Sequence, residues 1–187
     1  GAKGVYVHMH PDSVFFGKIV QGRKKQGFRL MWEYLPSQAV ADGRAFLKKF
    51  AGDLDLFSIN YPESCELFET DREEELIEEL KALNIPLILF RVGSRGLYTI
   101  AGGRHWFVPS VGSIGAVDPT GCGNCSTGAA LYAYCEGYDP LMVGIMANVA
   151  ASYNVLQYGP YPHFTEETRR EAMALAQRLY REYGEKH

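Results

Sequence analysis

The chain has 187 residues, of which 47% are hydrophobic and 22% are charged. This length allows one domain with a sizeable core, and the composition is typical of a globular protein. The net charge of −3 argues against a nucleic-acid partner. No apolar run in the sequence is long enough for a transmembrane helix, so we expect no membrane partner. The four cysteines are too few for a secreted disulfide scaffold, and we therefore expect reduced thiols in a cytoplasmic protein.

Strands and helices alternate through the first half of the chain. A β-prone run at 4–9 is followed by apolar residues at helical spacing and a glycine stop at Gly27. The next predicted elements are a strand at 28–35, a helix at 37–50, a strand at 54–60, helices at 62–69 and 71–83, and a strand at 85–92. The last strand is almost entirely apolar, as expected of a central parallel strand that is covered on both faces.

The pattern changes after Gly93. Two short β-prone segments predict a hairpin that turns near Gly102 and Gly103. Helical stretches follow at 122–136, 139–157 and 165–183. Alternating strands and helices predict an α/β fold of three layers, in which a mostly parallel sheet is flanked by helices. We see no linker or repeat, so the chain is interpreted as a single unit.

Three polar or glycine-rich loops follow apolar runs, at 60–63, 93–96 and 118–124. Ligands of an open α/β sheet bind beyond the carboxyl ends of the strands, so these loops could line one cleft. In the third loop, DPTGCGN, Gly121 and Gly123 allow the backbone to approach a ligand closely. The helix that follows would direct its first N–H groups and its dipole at an anion. The loop lacks the Lys-Ser/Thr ending of a Walker motif, and on spacing alone a simple glycine turn is about as well supported as a phosphate site.

Cys122 and Cys125 form a C-x-x-C pair that invites a zinc or redox interpretation. A zinc site needs a second pair of ligands, and Cys65 and Cys135 do not have the required spacing. We therefore interpret the pair as small residues that pack near the sheet at the start of a helix. Glu33, at the end of a predicted strand, is a weaker candidate for a role near Mg²⁺.

The order of these loops resembles the C-terminal part of the PfkB/ribokinase family of carbohydrate kinases. The second signature of that family ends in a run like D-T-T-G-A-G-D, and residues 118–124 have a similar pattern. Other family elements match in the same order: N-x-x-E at Asn60 and Glu63, the glycines of the T-x-G-x-x-G nucleotide loop at Gly93 and Gly96, and a late-helix asparagine at Asn148. The resemblance covers most of the chain.

The resemblance implies a ribokinase-like fold and ATP-dependent phosphorylation of a sugar or nucleoside hydroxyl. The implied catalytic group supplies backbone N–H groups to the transferring phosphoryl, from Gly121, Cys122 and Gly123. The implied Mg²⁺ site uses Asn60 and Glu63, through water. The resemblance places Gly93, Ser94 and Gly96 at the ATP phosphates and ribose, and Asn148 near adenine. It places Asp118 and Thr120 at a monovalent cation such as K⁺.

Two residues depart from the family pattern. The catalytic base of the family is the Asp that ends G-A-G-D, and here that position is Asn124. A neutral amide can orient a substrate hydroxyl but cannot take its proton. Arg91 replaces the usual threonine of the nucleotide loop. A non-catalytic nucleotide-binding or regulatory protein on the same scaffold, a pseudokinase, is therefore the alternative function.

Part of the family fold has no counterpart in this sequence. Nothing in it matches the N-terminal strands, the lid and the first glycine signature of family members. We therefore expect residues 1–187 to be the C-terminal portion of a single ribokinase-like kinase domain, either a fragment or a shortened relative. We expect no sugar kinase activity from these residues alone. Family members often dimerise through the lid, so the resemblance leaves both a monomer and a homodimer as alternatives.

Overall fold

The computed structural model describes residues 1–36, 40–112, 115–159, 161 and 164–184. Within these ranges the strands form one six-stranded sheet, whose spatial order is the order of the chain. The strands are β1 (Gly4–Met9), β2 (Arg29–Tyr34), β3 (Leu56–Asn60), β4 (Leu87–Arg91), β5 (Gly96–Ala101) and β6 (Arg104–Pro109). The first four are parallel, and β5 and β6 add an antiparallel hairpin. The predicted mostly parallel α/β sheet is confirmed.

The helices follow the predicted order. Those in the described part of the chain are α1 (Ser13–Gln26), α2 (Val40–Phe50), α3 (Tyr61–Phe68), α4 (Glu73–Ala82), α5 (Cys122–Cys135), α6 (Pro140–Asn154) and α7 (Glu166–Gly184). The first three residues of the helix predicted at 37–50 lie outside the described residues. The helix predicted at 139–157 is too long, since 155–157 form a turn after α6. None of these helices is both long enough and apolar enough to span a bilayer.

Side-chain caps define where several helices begin. The carboxylate of Asp12 accepts hydrogen bonds from the amides of Val14 and Phe15, and α1 starts there. Asp139 caps α6 in the same way, through the amides of Leu141 and Met142. Such caps satisfy donors that the first turn of a helix leaves without partners. The caps explain why the helix starts follow polar residues in the sequence.

Helices cover both faces of the sheet. On one face, α1 to α4 bury an aromatic cluster that includes Phe16, Trp32 and Phe46. From α2, the side chains of Phe46, Leu47 and Phe50 are all buried on this face. On the other face, α5 to α7 pack on a second cluster of mainly aliphatic residues, contributed by alternate positions of the same strands. Two helical layers around one sheet give the predicted three layers.

A buried ion-pair network lies at the amino ends of the strands, just before β3. Asp55 is only 3% exposed. Its carboxylate accepts hydrogen bonds from Arg23 Nε at 2.9 Å, Arg29 Nη1 at 3.0 Å and the Leu30 amide at 2.8 Å. The network therefore joins α1, β2 and the start of β3 at the end of the sheet opposite the strand termini that carry the candidate site.

Candidate functional site

A cavity of about 540 Å³ opens at the carboxyl ends of the parallel strands. β3 and β4 end side by side, because Asn60 and Arg91 are partners in the sheet. The antiparallel hairpin returns to the same edge, where Gly96 pairs with Pro109. The cavity walls include eight residues predicted from sequence: Asn60, Gly93, Ser94, Gly96, Asp118, Cys122, Gly123 and Asn148. The three predicted loops therefore line one cleft.

The other predicted residues lie next to the cavity without lining it. Glu63 is in the first turn of α3, and Thr120 and Gly121 are in the loop that leads into α5. Asn124 lies in the first turn of α5 and is exposed. Its side chain has no hydrogen-bond partner among the described residues, so its amide is available to a ligand.

The start of α5 forms a cradle of free amides. Gly121 is the residue before the helix and has a φ of 82°, a left-handed conformation that strongly favours glycine. The Cys122 amide donates to the Pro119 carbonyl at 3.1 Å, and the Cys125 amide donates to Gly121 at 2.9 Å. Within the described ranges, the amides of Gly123 and Asn124 between them have no acceptor. These amides lie at the positive end of the helix dipole, which favours an anion.

The end of α6 holds the cradle loop in place. Asn154 is 7% exposed, and its Nδ2 donates to the Thr120 carbonyl at 3.0 Å. The Val155 carbonyl accepts from the Asp118 amide at 3.2 Å. The Asp118 carboxylate in turn accepts from the Thr120 amide at 2.9 Å, and this bond holds the pKa of Asp118 below its usual value. Sequence reasoning missed Asn154, although a buried polar residue in an apolar helix was a usable signal.

A second brace joins α5 to the sheet. The hydroxyl groups of Ser58 on β3 and Thr127 on α5 are 3.0 Å apart, and both residues are fully buried. A hydroxyl buried without a partner is costly, so the pair favours one position of α5 relative to the sheet. Sequence reasoning did not single out either residue.

Asn60 and Glu63, the predicted Mg²⁺ residues, form a capping box at the start of α3. Asn60 Oδ1 accepts from the Glu63 amide at 3.0 Å, and Glu63 Oε2 accepts from the Asn60 amide at 2.9 Å. Burial raises the pKa of the Glu63 carboxyl, although Arg91 acts in the opposite direction. Among the described residues no three His, Cys, Asp or Glu side chains cluster as metal ligands. One free oxygen, Glu63 Oε1, suits an ion that keeps most of its water, as Mg²⁺ does.

The nucleotide-loop residues are fixed from outside the cavity. Arg95, between Ser94 and Gly96, forms an ion pair with Glu73 at the start of α4. Tyr98 also donates to Glu73, at 2.7 Å, and burial together with this bond raises the pKa of Tyr98 to about 12. These contacts hold the loop at 93–96 against the helix layer.

Asn148 connects α6 to the end of β6. Its Nδ2 donates to the carbonyls of Val108 and Pro109, each at 3.0 Å. The side chain is 8% exposed and still forms part of the cavity wall. With its NH₂ group bound to the protein, only the carbonyl oxygen of the side chain remains for a ligand.

Arg91 and Glu33 form a buried ion pair on the α5 side of the sheet. Arg91 Nη2 is 2.6 Å from Glu33 Oε1, and Tyr6 donates its hydroxyl to Glu33 Oε2. Burial and this hydrogen bond raise the pKa of Tyr6 above its usual range. Both oxygens of Glu33 are engaged by protein groups. A direct contact with Mg²⁺, the weaker role considered for Glu33, would have to compete with them.

The C-x-x-C pair packs against α6. The thiols of Cys122 and Cys125 lie 3.5 Å from the carbonyl oxygens of Ala151 and Ala150, respectively. Burial raises the pKa of Cys125, which disfavours its reactive thiolate form. All four cysteines of the chain are free thiols. The pair therefore contributes to helix packing at the cradle.

Solved kinase structures have a similar fold. A probable sugar kinase from Rhizobium etli CFN 42 gives a TM-score of 0.73 at 18% identity, over 91% of this chain and 54% of that chain. A putative ribokinase II from E. coli, solved with ATP and Mg²⁺, gives 0.71 at 21% identity, over 92% and 58%. An aminoimidazole riboside kinase from Salmonella enterica gives 0.73 at 14% identity, over 92% and 64%. These similarities confirm the ribokinase-like fold, and the chain spans little more than half the length of the proteins it matches.

The sequence itself matches a family model. No curated protein matches the chain. The model of the pfkB family carbohydrate kinases matches residues 26–167, which include all three predicted loops. This match covers most of the chain and confirms the resemblance inferred from the loop order. The chain therefore belongs to the pfkB family of carbohydrate kinases.

Proposed function

We propose that the protein, at its full natural length, is a cytoplasmic kinase that transfers the γ-phosphoryl group of ATP to a hydroxyl of a sugar or nucleoside. The observation that carries this proposal is the meeting of three loops at one cavity, with the free amides of Gly123 and Asn124 beside it. Catalysis of phosphoryl transfer consists mainly of positioning and electrostatic stabilisation, and a cradle of fixed amides supplies both.

The cavity offers a place for each part of the nucleotide. Gly93, Ser94 and Gly96 form one wall, suited to the ATP phosphates and ribose. The side-chain carbonyl of Asn148 remains free on another part of the cavity wall, where it would lie near adenine. The Asp118 carboxylate, whose lowered pKa keeps it charged, is the group that would attract a monovalent cation such as K⁺, with Thr120 beside it.

Mg²⁺ would neutralise charge on the ATP phosphates when it is bound. Glu63 Oε1 would hold the water shell of the ion, while Asn60 fixes the Glu63 side chain through the capping box. Because the charged carboxylate is needed for this contact, the raised pKa of Glu63 makes ion binding sensitive to acid.

Asn124 would orient the acceptor hydroxyl. Its side chain is exposed at the first turn of α5, next to the free amides. An amide cannot accept the proton that the hydroxyl loses, so that proton would pass to water or to another group. The acceptor oxygen then bonds to the γ-phosphorus as the bond to the ADP oxygen breaks.

Substitution of Asn124 tests this role. In the protein at its full natural length, Asn124→Asp should raise turnover, because a carboxylate can take the proton. The measurement is ADP release across a panel of sugars and nucleosides. The control is Asn84→Asp, at an exposed asparagine far along the chain from the cradle, which should leave turnover unchanged. A folded Asn124→Asp variant that is no faster on any accepted substrate contradicts the role.

One observation favours a second function, nucleotide binding without catalysis. Among the described residues, Asp118 is the one carboxylate that lines the cavity, and it is tied to the Thr120 amide. Calorimetry with ATP and Mg²⁺, together with the turnover panel, separates the two functions. Binding without turnover favours the pseudokinase. Absence of binding by the full-length protein removes both.

A further inference from the structure

The guanidinium of Arg91 lies against the first turn of α5. Arg91 is the last residue of β4 and lines the cavity. A Cβ atom at Gly123 would overlap Arg91 Nη1, so the guanidinium occupies the space that a side chain at 123 would fill. The amides of Gly123 and Asn124 are in the same turn. A positive charge and free amide donors therefore lie side by side.

Glu33 holds this guanidinium but does not use all of its donors. The side chains of Arg91 and Glu33 are 13% and 4% exposed, and Glu33 contacts only Nη2. Arg91 Nε is buried and has no partner, and Nη1 has no acceptor in the described part of the chain. An arginine that is fully engaged by a carboxylate usually makes a bidentate contact. Here the Nε and Nη1 donors of Arg91 remain for another acceptor.

The groups around Arg91 leave room for a negative ligand. Glu33 balances the charge of Arg91, and Tyr6 donates to Glu33. Glu63 is engaged through Oε2 in the capping box of α3, and Asn124 has no charge. An anion that enters the cradle would meet donors from the backbone and from Arg91, while both oxygens of Glu33 are already engaged by Arg91 and Tyr6.

We propose that Arg91 binds a phosphate group of the nucleotide, through Nη1, together with the amides of Gly123 and Asn124. Glu33 is the positioning residue that keeps the guanidinium in the cradle. The inference rests on the proposed function and deepens it, since it names the charged side chain that distinguishes a nucleotide from the uncharged nucleoside. Nothing in the predicted set of site residues supplies a positive charge here.

The test compares ADP with adenosine by calorimetry, using the protein at its full natural length. Arg91→Met should weaken ADP binding about 10- to 100-fold, which corresponds to the loss of one charged hydrogen bond. Adenosine affinity should change little, because adenosine has no phosphate. The ADP affinity of Arg91→Lys should lie between those of the natural protein and of Arg91→Met, since lysine keeps the charge but lacks the planar guanidinium. Arg104→Met removes a charge from an exposed arginine over Trp106 and should change neither affinity.

A second variant separates binding from folding. Arg91→Met leaves the Glu33 carboxylate buried without its partner, which can destabilise the fold. The double variant Glu33→Gln/Arg91→Met removes both charges and should fold, as measured by circular dichroism, while ADP binding stays weak. If the double variant binds ADP as tightly as the natural protein, Arg91 is only structural and the inference is overturned.

The outcomes also separate the inference from the proposed function. If the natural protein binds neither ADP nor ATP, both fail. If it binds ADP, and the Arg91 variants bind it equally well, the phosphate role of Arg91 fails and the proposed function stands. A selective loss of ADP binding with adenosine affinity retained supports both.

Discussion

Asn154 donates its side-chain amide to the Thr120 carbonyl and so connects the end of α6 to the cradle loop. At the scale of single residues, this contact makes the cradle depend on a residue that lines no part of the cavity. Asn154 also lies 3.5 Å from the position that a Cβ would take at Gly121. The side-chain amide of Asn154 therefore supports the left-handed turn at Gly121.

Asn154→Ala should loosen the cradle. Losing the hydrogen bond leaves the Thr120 carbonyl without its partner, and we expect a cost of about 1–3 kcal/mol in the free energy of unfolding. ADP affinity should fall as well, because the free amides lose their fixed geometry. Urea denaturation and calorimetry measure the two effects.

Gln157→Ala is the matched control, since Gln157 also donates to carbonyls, those of Asn154 and Gly159, without contacting the cradle. It should leave ADP affinity unchanged. An Asn154→Ala variant with natural stability and ADP affinity would show that the contact does not support the cradle.

Residues of the cradle differ in how far the sequence reveals them. Gly121 and Gly123 are visible because glycine has few other uses at the start of a good helix. The contacts of Ser58 and Asn154 cannot be predicted from the sequence, because their partners are 69 and 34 residues away along the chain. Arg91 was noticed as a departure, but its contact with Gly123 depends on how α5 packs against the sheet.

Helix α3 is the element in which capping and candidate metal binding share the same side chains. Its capping box places the Glu63 carboxyl in a partly buried position, and burial raises the Glu63 pKa. A raised pKa in the folded state means that the protonated form stabilises the fold. The stability contributed by Glu63 is therefore lost as the pH rises from the ordinary carboxyl value through the raised value.

Glu63→Gln tests this element. Glutamine keeps an oxygen that can accept from the Asn60 amide, so the cap should survive. The stability of the variant relative to the natural protein should increase as the pH rises through that window, and should be constant above it. Thermal unfolding between pH 4 and pH 8 measures this difference in stability, because the range begins near the ordinary pKa of a glutamate carboxyl.

Glu63→Ala is the comparison, because it removes the cap as well and should lose about 1 kcal/mol across the whole range. A stability difference between Glu63→Gln and the natural protein that does not vary with pH would contradict the effect of burial. If Mg²⁺ also supports nucleotide binding to Glu63→Gln as well as it does to the natural protein, Glu63 has no part in holding the ion.

Periodicity in the sequence predicts which helices and strands form, but it does not predict the residues at which they begin and end. β3 begins at Leu56, later than the predicted 54, because the Leu54 amide closes a short 3₁₀ turn onto Ala51. Beyond Asn154 the chain leaves α6, and the Val155 carbonyl accepts from the amides of Val117 and Asp118. Both ends are set by contacts that hydrophobic spacing does not encode.

The whole molecule separates a stabilising end from a candidate functional end. The Asp55 network lies at the amino ends of the strands, and the cavity lies at the carboxyl ends. The alternation of strands and helices predicts this arrangement of a parallel sheet. Which charges are buried at each end could not be predicted, since burial depends on packing between distant segments.

Asp55→Ala should lower stability and leave the candidate site intact. Breaking a buried pair costs about 3–5 kcal/mol, and we expect the lower part of this range. Arg23 and Arg29 are already 25% and 55% exposed, so they can be hydrated after the change. Urea denaturation should show the loss, and ADP affinity measured below the unfolding transition should be unchanged.

Lys24→Ala is the control at the same end, because Lys24 is largely exposed in its ion pair with Asp53. Such pairs contribute about 0–1 kcal/mol, so its stability should be close to natural. A folded Asp55→Ala variant that has lost ADP binding would show that the two ends of the sheet are coupled.

The shared space of Arg91 and Gly123 constrains the order in which the sequence can change. A side chain at 123 would overlap the guanidinium, so a larger residue there displaces Arg91 from Glu33 unless position 91 has been shortened first. The reverse order passes through an intermediate in which this ion pair is disturbed. Laboratory evolution of this protein should therefore acquire changes at 91 before changes at 123, and the two substitutions should not have additive effects.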